Sequence, residues 1–294
     1  MPQSVQRALR TAVQRFETSQ IETPRLDAEM LLADLLGVDR LKLRTHSDAE
    51  LTVEQEAAFG LRVDRRAARE PVAHILGYRD FHRYRFRVTP AVLIPRPETE
   101  HIVDYIVDEL RPARGSRILD LCTGSGCIGL TLLKELERAG RRCHVTLTDL
   151  SEAALDVARE NLTLIAPELI DQCALYCGDL DDALPESERA NSYAVIVSNP
   201  PYIAPGEAGD LAPEVRDHEP ALALFHADPP ALYRRIFAAA RALLTPNGTL
   251  VLELGPRWGA ELLAEASSMF TRAELRRDYA GIDRMLIAGG PRSS

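Results

Sequence analysis

From about residue 98 onward the chain alternates short apolar runs with amphipathic segments, and this alternation limits the possible folds more than any other feature. A helix is expected over 98–110, a strand over 117–121 and a helix over 127–138. A strand over 143–147 and a helix over 151–165 follow, with Ser151 as N-cap. Strands at 174–177 and 193–198 precede a helix at 230–244, a strand at 249–254 and a helix at 258–270. Two more strands lie near 272–277 and 284–288. Alternation of this length implies a mostly parallel sheet with helices on both faces. The last two strands are separated only by Tyr279-Ala280-Gly281-Ile282. So short a connection cannot cross over, so the final strand is expected to run antiparallel.

The first 75 residues follow a different pattern. Val5, Leu9, Ala12, Val13 and Phe16 recur at helical spacing. A second helix opens at Pro24 and stops at Gly37, and a third runs from Thr52 to Arg69. This segment is expected to be a small helical-bundle domain over 1–75. Between the two regions, residues 76–97 carry Phe81, Tyr84, Phe86 and Val88, closed by Pro90, Pro95 and Pro97. That pattern suggests a β-hairpin linker. Its arginines suit either a solvated edge strand or a docking surface. The main domain is then 98–294.

Composition excludes several classes. With 46% hydrophobic and 27% charged residues the chain has a real core and is not disordered. The formal net charge of −9 provides no bulk field to attract nucleic acid. Residues 1–75 hold 11 Lys/Arg against 12 Asp/Glu, which leaves 24 against 32 for the rest. The five cysteines show no C-x-x-C spacing, and the seven histidines are scattered, so neither a disulfide framework nor a metal site is expected. No apolar run approaches the ~20 residues that cross a bilayer. A cytoplasmic protein without membrane contact is expected.

Four motifs carry chemistry. Asp120-Leu121-Cys122-Thr123-Gly124-Ser125-Gly126 follows an apolar strand and opens a helix. Gly124 and Gly126 allow a tight turn and close approach of the backbone to a ligand. The acidic residue at the turn's start would repel a pyrophosphate and welcome an ammonium or sulfonium group. S-adenosylmethionine is therefore favoured over a nicotinamide cofactor, although the turn alone also fits a plain strand–helix connection. Asp149, just beyond the next strand, stands where an acidic residue accepts from ribose hydroxyls, or it merely precedes the helix capped by Ser151. After the third strand, Gly178-Asp179-Leu180 provides a carboxylate for an adenine amino group and a side chain for the ring face, or an ordinary turn. Together the three lie at the carboxyl ends of successive strands, where open α/β sheets bind ligands.

The fourth motif is Asn199-Pro200-Pro201-Tyr202, directly after the strand at 193–198. Two prolines stiffen the loop and remove two N–H donors. What remains is mainly acceptors: the Asn199 side-chain oxygen and the Pro200 carbonyl. Two acceptors are what an NH₂ group needs. An amide nitrogen is a poor nucleophile because its lone pair is delocalised into the carbonyl. Holding both N–H bonds turns that lone pair toward a methyl donor, and alignment then supplies much of the rate. Tyr202 offers an aromatic face for the flat group. Cys122 sits in the ligand turn beside Asp120, which disfavours a thiolate, and is read as packing.

With these residues in view, the sequence resembles the protein glutamine methyltransferases that modify peptide chain release factors. The resemblance spans nearly the whole chain: Arg25 to Glu29, Glu70 to Gly77, Ile94-Pro95-Arg96-Pro97-Glu98-Thr99-Glu100, the Asp120 turn, Asn199 to Tyr202, and Arg277 to Gly281. It implies a class I S-adenosylmethionine methyltransferase sheet, Rossmann-like, behind a helical domain that helps recognise the release factor. It implies cofactor contacts from Cys122, Thr123, Gly124, Ser125, Gly126, Asp149, Leu180 and Asn199, and S-adenosylhomocysteine as product. The substrate, the glutamine of a Gly-Gly-Gln motif, would sit on Asn199 to Tyr202. A monomer without direct nucleic acid binding is expected.

There are departures from the family pattern. Glycine is usual where Cys122 stands, an aromatic residue is common at Leu180, and the glycine-rich segment near His226 to Pro230 is missing. Asp120 to Cys127 looks more like the sister enzymes that methylate a large-subunit ribosomal protein, whereas Pro95 to Glu98 and the Arg277 ending favour the release factor type. Nucleic acid adenine methylation is a further alternative, because an adenine amino group also needs two acceptors.

Overall fold

A computed structural model of the chain describes residues 3–189, 192–278 and 281–292. Two compact units emerge: Met1–Tyr78 with Leu211–His218, and Arg79–Asp210 with Glu219–Ser294.

The first unit contains α1 (Val5–Thr18), α2 (Pro24–Leu36), α3 (Arg40–Thr45), α4 (Val53–Ala67) and α5 (Val72–Leu76). Its helices start where the chemistry of their caps dictates. The Ser4 hydroxyl accepts from the Arg7 N–H, and Thr52 and Gln55 form a reciprocal capping box at α4. Gly37 closes α2 in the left-handed conformation. Ala8, Ala12, Phe16, Leu31, Leu32 and Phe59 form its core. Three helices were expected here. The additional ones, α3 and α5, span six and five residues, too short for a periodic pattern to mark them.

A two-stranded sheet follows, β1 (Tyr78–Phe81) and β2 (Tyr84–Arg87), and all but its first residue lies in the second unit. Then come α6 (Glu100–Asp104), β3 (Arg117–Leu121), α7 (Cys127–Arg138), β4 (His144–Asp149), α8 (Glu152–Ile165), β5 (Cys173–Cys177) and β6 (Tyr193–Ser198). The segment after β6 includes two short helices. These are α9 (Pro213–His218), which belongs to the first unit, and α10 (Ala221–Leu224). The chain ends with α11 (Pro229–Leu243), β7 (Leu244–Glu253), α12 (Gly259–Met269), β8 (Phe270–Arg277) and β9 (Asp283–Pro291).

The strand order is β5-β4-β3-β6-β7-β9-β8. The pairs β3–β4, β3–β6, β4–β5 and β6–β7 are parallel, whereas β9 runs antiparallel to both β7 and β8. The expected mostly parallel sheet with an antiparallel last strand is what forms, and β9 inserts between β7 and β8. Of the short turn before β9, Tyr279 and Ala280 lie outside the described residues.

Alternate strand residues bury on opposite faces. Ile118, Val195, Val197 and Val251 pack with Ile102, Leu132, Leu133 and Leu162. Leu119, Leu121, Ile196, Leu250 and Leu252 pack with Tyr233, Ile236, Phe237 and Leu262. Three boundary differences bear on the site or the sheet. The helix expected over 98–110 opens with a 3₁₀ turn at Pro97–Thr99 and closes as a π-helix over Tyr105–Leu110. The strand expected at 249–254 runs from Leu244, with a register shift against β6 that accommodates Pro246 and Gly248. β4 extends to Asp149, so that residue is the strand's last and not the one beyond it.

Candidate active site

At the carboxyl ends of β3, β4, β5 and β6 the second unit holds a cavity. Its wall takes Cys122, Thr123, Gly124 and Ser125 from the first loop, Asp149 to Ser151 from the second, and Gly178, Asp179 and Leu180 from the third. Asn199 and Pro201 come from the fourth, with Arg96 and Thr99 from the segment before α6. Pro220, Leu222, Phe225 and His226 close the wall from the stretch after α9. Four loops that are distant in sequence thus face one space, as parallel connections require.

The first loop is held from behind. Asp120 is fully buried and does not reach the cavity wall. Its Oδ2 accepts from Thr123 Oγ1 at 2.7 Å and from the Gly129 N–H at 3.0 Å. Its Oδ1 is buried and has no hydrogen-bond partner among the described residues. Burial raises the carboxyl from its ordinary value of 3.8 to about 7. Gly126 lies behind the turn, and a Cβ there would come within 2.9 Å of Leu130 Cδ1 at a φ of +80°. Cys122 and Leu180 adopt left-handed backbone with φ of 57° and 50°, an uncommon conformation for residues other than glycine. Burial pushes the Cys122 thiol up to about 12, so it stays protonated, consistent with a packing role.

Asp149 links two loops. Its Oδ2 accepts from the Gly124 N–H at 2.8 Å and its Oδ1 from the Ser151 N–H at 2.9 Å. Each oxygen has a second lone pair left for a ligand. Asp179 is ion-paired with Arg235 at 2.9 Å on the same wall, so a ligand amino group there shares this carboxylate with a guanidinium.

The fourth loop starts where Ser198 Oγ donates to the Leu121 carbonyl at 2.7 Å, joining the ends of β6 and β3. Asn199 and Pro201 face the cavity, whereas Pro200 and Tyr202 are not on its wall. The Tyr202 ring lies over Gly255, where a Cβ would meet it at 2.8 Å, and burial pushes its phenol up to about 12. Asn199 Nδ2 donates to Thr99 Oγ1 at 3.4 Å, and Thr99 Oγ1 donates to Glu253 Oε2 at 2.6 Å.

Thr99, Glu253, Arg96, Glu219 and Arg235 were not singled out as site residues from the sequence. Glu219 accepts from the Ile94 N–H at 3.0 Å and from Arg96 at 2.5 Å, and so fastens one wall of the cavity. In the sequence the Ile94 to Glu100 segment stands out only as the proline-rich close of the hairpin linker and through its family resemblance. Its run of prolines and charges was the available signal, but its partners lie more than a hundred residues away in sequence.

Among the described residues no group of His, Cys, Asp or Glu could hold a metal ion, and no helix is long and apolar enough to cross a membrane.

Comparison with known proteins places the two parts of the chain. Residues 7–77 match the family described as the PrmC N-terminal domain, and residues 101–214 match the methyltransferase small domain. The release factor glutamine methyltransferase of Rhodopirellula baltica is 37% identical over 292 residues, covering 97% of this chain and 96% of that protein. The protein of the same name from Cereibacter sphaeroides is 41% identical over 287 residues, covering 97% and 98%. The corresponding Koribacter versatilis protein is 35% identical over 292 residues, covering 99% and 100%.

Proposed function

Because this chain belongs to the release factor glutamine methyltransferase family, and is an S-adenosylmethionine-dependent enzyme with the class I methyltransferase fold, we propose that it methylates the side-chain amide nitrogen of the Gly-Gly-Gln glutamine in a peptide chain release factor. The observation that carries this reading is the shared wall. Asn199 and Pro201 face the same cavity as Cys122 to Ser125, Asp149 and Leu180.

The residues fit the cofactor. Asp149 is left with one lone pair on each oxygen for the ribose hydroxyls, and Leu180 and Leu150 provide apolar cover for the adenine. Asp179 accepts from the adenine amino group beside Arg235. Cys122 to Ser125 line the methionine end, and Asp120 braces that turn from beneath. When bound, S-adenosylmethionine would supply an electrophilic methyl group and leave as S-adenosylhomocysteine, and the glutamine amide would give up one proton.

The substrate side is built for a planar amide. Asn199 Oδ1, which faces the cavity, accepts one N–H bond of the glutamine, and Pro201 and Tyr202 keep that loop rigid; the Pro200 carbonyl, expected as the second acceptor, belongs to a residue off the cavity wall. An acceptor held in place turns the nitrogen lone pair toward the methyl donor. Fixing reactants in this way is worth effective molarities of roughly 10⁵–10⁸ M in well-oriented systems. The enzyme acts in the cytoplasm as a monomer on a protein, and the acidic balance of −9 agrees with a partner that is not nucleic acid.

The test is incubation with labelled S-adenosylmethionine, release factor, large-subunit ribosomal proteins and nucleic acid, followed by peptide mass spectrometry. A single methyl group on the Gly-Gly-Gln glutamine is expected. Label on a ribosomal protein alone, or on nucleic acid alone, overturns the reading.

A further inference from the structure

A primary amide can sit in its site in two orientations of nearly equal shape. One presents its oxygen to the ligand, the other its NH₂. For Asn199 the two differ completely in effect. An NH₂ donor facing a substrate NH₂ gives no hydrogen bond and places two positive edges together. Only the orientation with Oδ1 toward the cavity can hold the substrate nitrogen, so something must choose it.

The choice is made behind the loop. Asn199 Nδ2 lies 3.4 Å from Thr99 Oγ1, which lies 2.6 Å from Glu253 Oε2. Thr99 is 2% and Glu253 4% exposed, so water has little access to replace either bond. A hydroxyl has one proton to give. Burial raises the Glu253 carboxyl from 4.5 to about 7; once ionised it is an acceptor only, so it claims that proton. Thr99 can then only accept from Asn199, which turns Nδ2 inward and Oδ1 outward. The three groups come from different parts of the chain: the turn before α6, the last residue of β7 and the residue after β6.

We infer that Thr99 and Glu253 are positioning residues that set the hydrogen-bond polarity of Asn199, and through it make the site select an NH₂-bearing side chain over a carboxylate. The inference rests on the proposed glutamine substrate. It predicts discrimination as well as rate. With Asn199 held acceptor-outward, a glutamate in the substrate position meets an oxygen and is rejected. With Asn199 free to turn, the same glutamate meets an NH₂ and is tolerated.

The experiment uses the full-length enzyme, S-adenosylmethionine, a purified release factor and its variant with glutamate in place of the Gly-Gly-Gln glutamine. Thr99→Val keeps the shape and removes both hydrogen bonds. It is expected to lower kcat about 10- to 100-fold, in line with the cost of a slightly misplaced reacting group, with cofactor affinity unchanged. It is also expected to narrow the binding preference for glutamine over glutamate release factor. Thr99→Ser restores both properties, because the hydroxyl returns. Glu253→Gln, whose amide can donate to Thr99 as well as accept, gives an intermediate loss of both and decides the matter if Thr99→Val does not fold. The inference is overturned if Thr99→Val turns over within twofold of wild type, if Thr99→Ser fails to restore a loss, or if folded Glu253→Gln is unchanged in both rate and preference. A wild type that methylates no release factor overturns the substrate reading itself. A wild type that methylates it, together with an equally active Thr99→Val, overturns only this inference.

Discussion

The backbone N–H of Gly124 donates to Asp149 Oδ2 at 2.8 Å, fastening the loop after β3 to the end of β4. The other oxygen of the same carboxylate takes the Ser151 N–H at 2.9 Å, where α8 begins. One side chain thus sets the spacing of two loops and still faces the cavity. Hydrogen bonds to a charged acceptor are worth about 1.5–3 kcal/mol each. Asp149→Ala is therefore expected to weaken S-adenosylmethionine binding by ~10- to 100-fold, measured by calorimetry on folded protein. Unchanged affinity would remove Asp149 from the cofactor site.

Asn199→Ala separates binding from chemistry. The cofactor contacts proposed on the first three loops remain, so its affinity should stay within a few-fold of wild type. Turnover should fall by ~10²-fold or more, because the amide loses an acceptor that holds it in line. Single-turnover transfer to release factor is the measurement. A variant that keeps near-normal turnover would show that the loop does not hold the reacting nitrogen.

The buried carboxyl of Asp120 makes stability depend on pH with a definite sign. Burial is the largest cause of its rise from 3.8 to about 7, opposed by the Thr123 hydroxyl and the Gly129 N–H and aided by the negative charge of Asp149. The folded state therefore holds a proton that the unfolded state releases near 3.8. The stability contributed by this group is present in full below the unfolded pKa and is lost as pH rises through the folded one. Asp120→Asn keeps the acceptor and removes the titration. Its melting temperature should fall less between about pH 5 and about pH 8 than that of wild type, by a few degrees. Identical slopes in the two proteins would show that Asp120 does not titrate in this range.

Within the helical unit, Arg66 donates Nε to Asp27 at 2.7 Å and its NH₂ group to Glu214 at 2.9 Å, and Arg69 donates to the other oxygen of Glu214 at 2.8 Å. Arg66 and Asp27 are each 5% exposed. Removing one partner of a buried pair leaves a charge uncompensated, at a typical cost of 3–5 kcal/mol. Arg66→Ala should lose about that much in denaturant unfolding, and limited proteolysis should cut the 203–228 segment faster. An unchanged cleavage rate would show that Glu214 does not anchor Leu211–His218.

Much of the second unit was legible in the sequence because its elements are specified locally. Arg117–Leu121, Cys127–Arg138 and Tyr193–Ser198 lie where apolar runs, caps and glycines mark them. The antiparallel final strand followed from the length of one connection. The chemistry of Asn199-Pro200-Pro201-Tyr202 was also local, since two prolines and an amide define a set of acceptors without reference to any neighbour. Pairings over long range were not legible. Nothing near Thr99 indicates that its hydroxyl meets Glu253, 154 residues on, or that Ile94 and Arg96 meet Glu219. The fate of Pro213–His218, which leaves the catalytic unit to pair with Arg66 and Arg69, was equally hidden. The burial that places Asp120 behind the cavity wall instead of on it depends on what packs over it. Sequence by itself determined which groups could hold a planar NH₂ and at which strand ends they stand, because propensity, capping and backbone donors are properties of neighbouring residues. Only the tertiary structure decided which way Asn199 faces, because the proton that orients it belongs to a hydroxyl and a carboxylate that meet only when β7 and the turn before α6 are packed together.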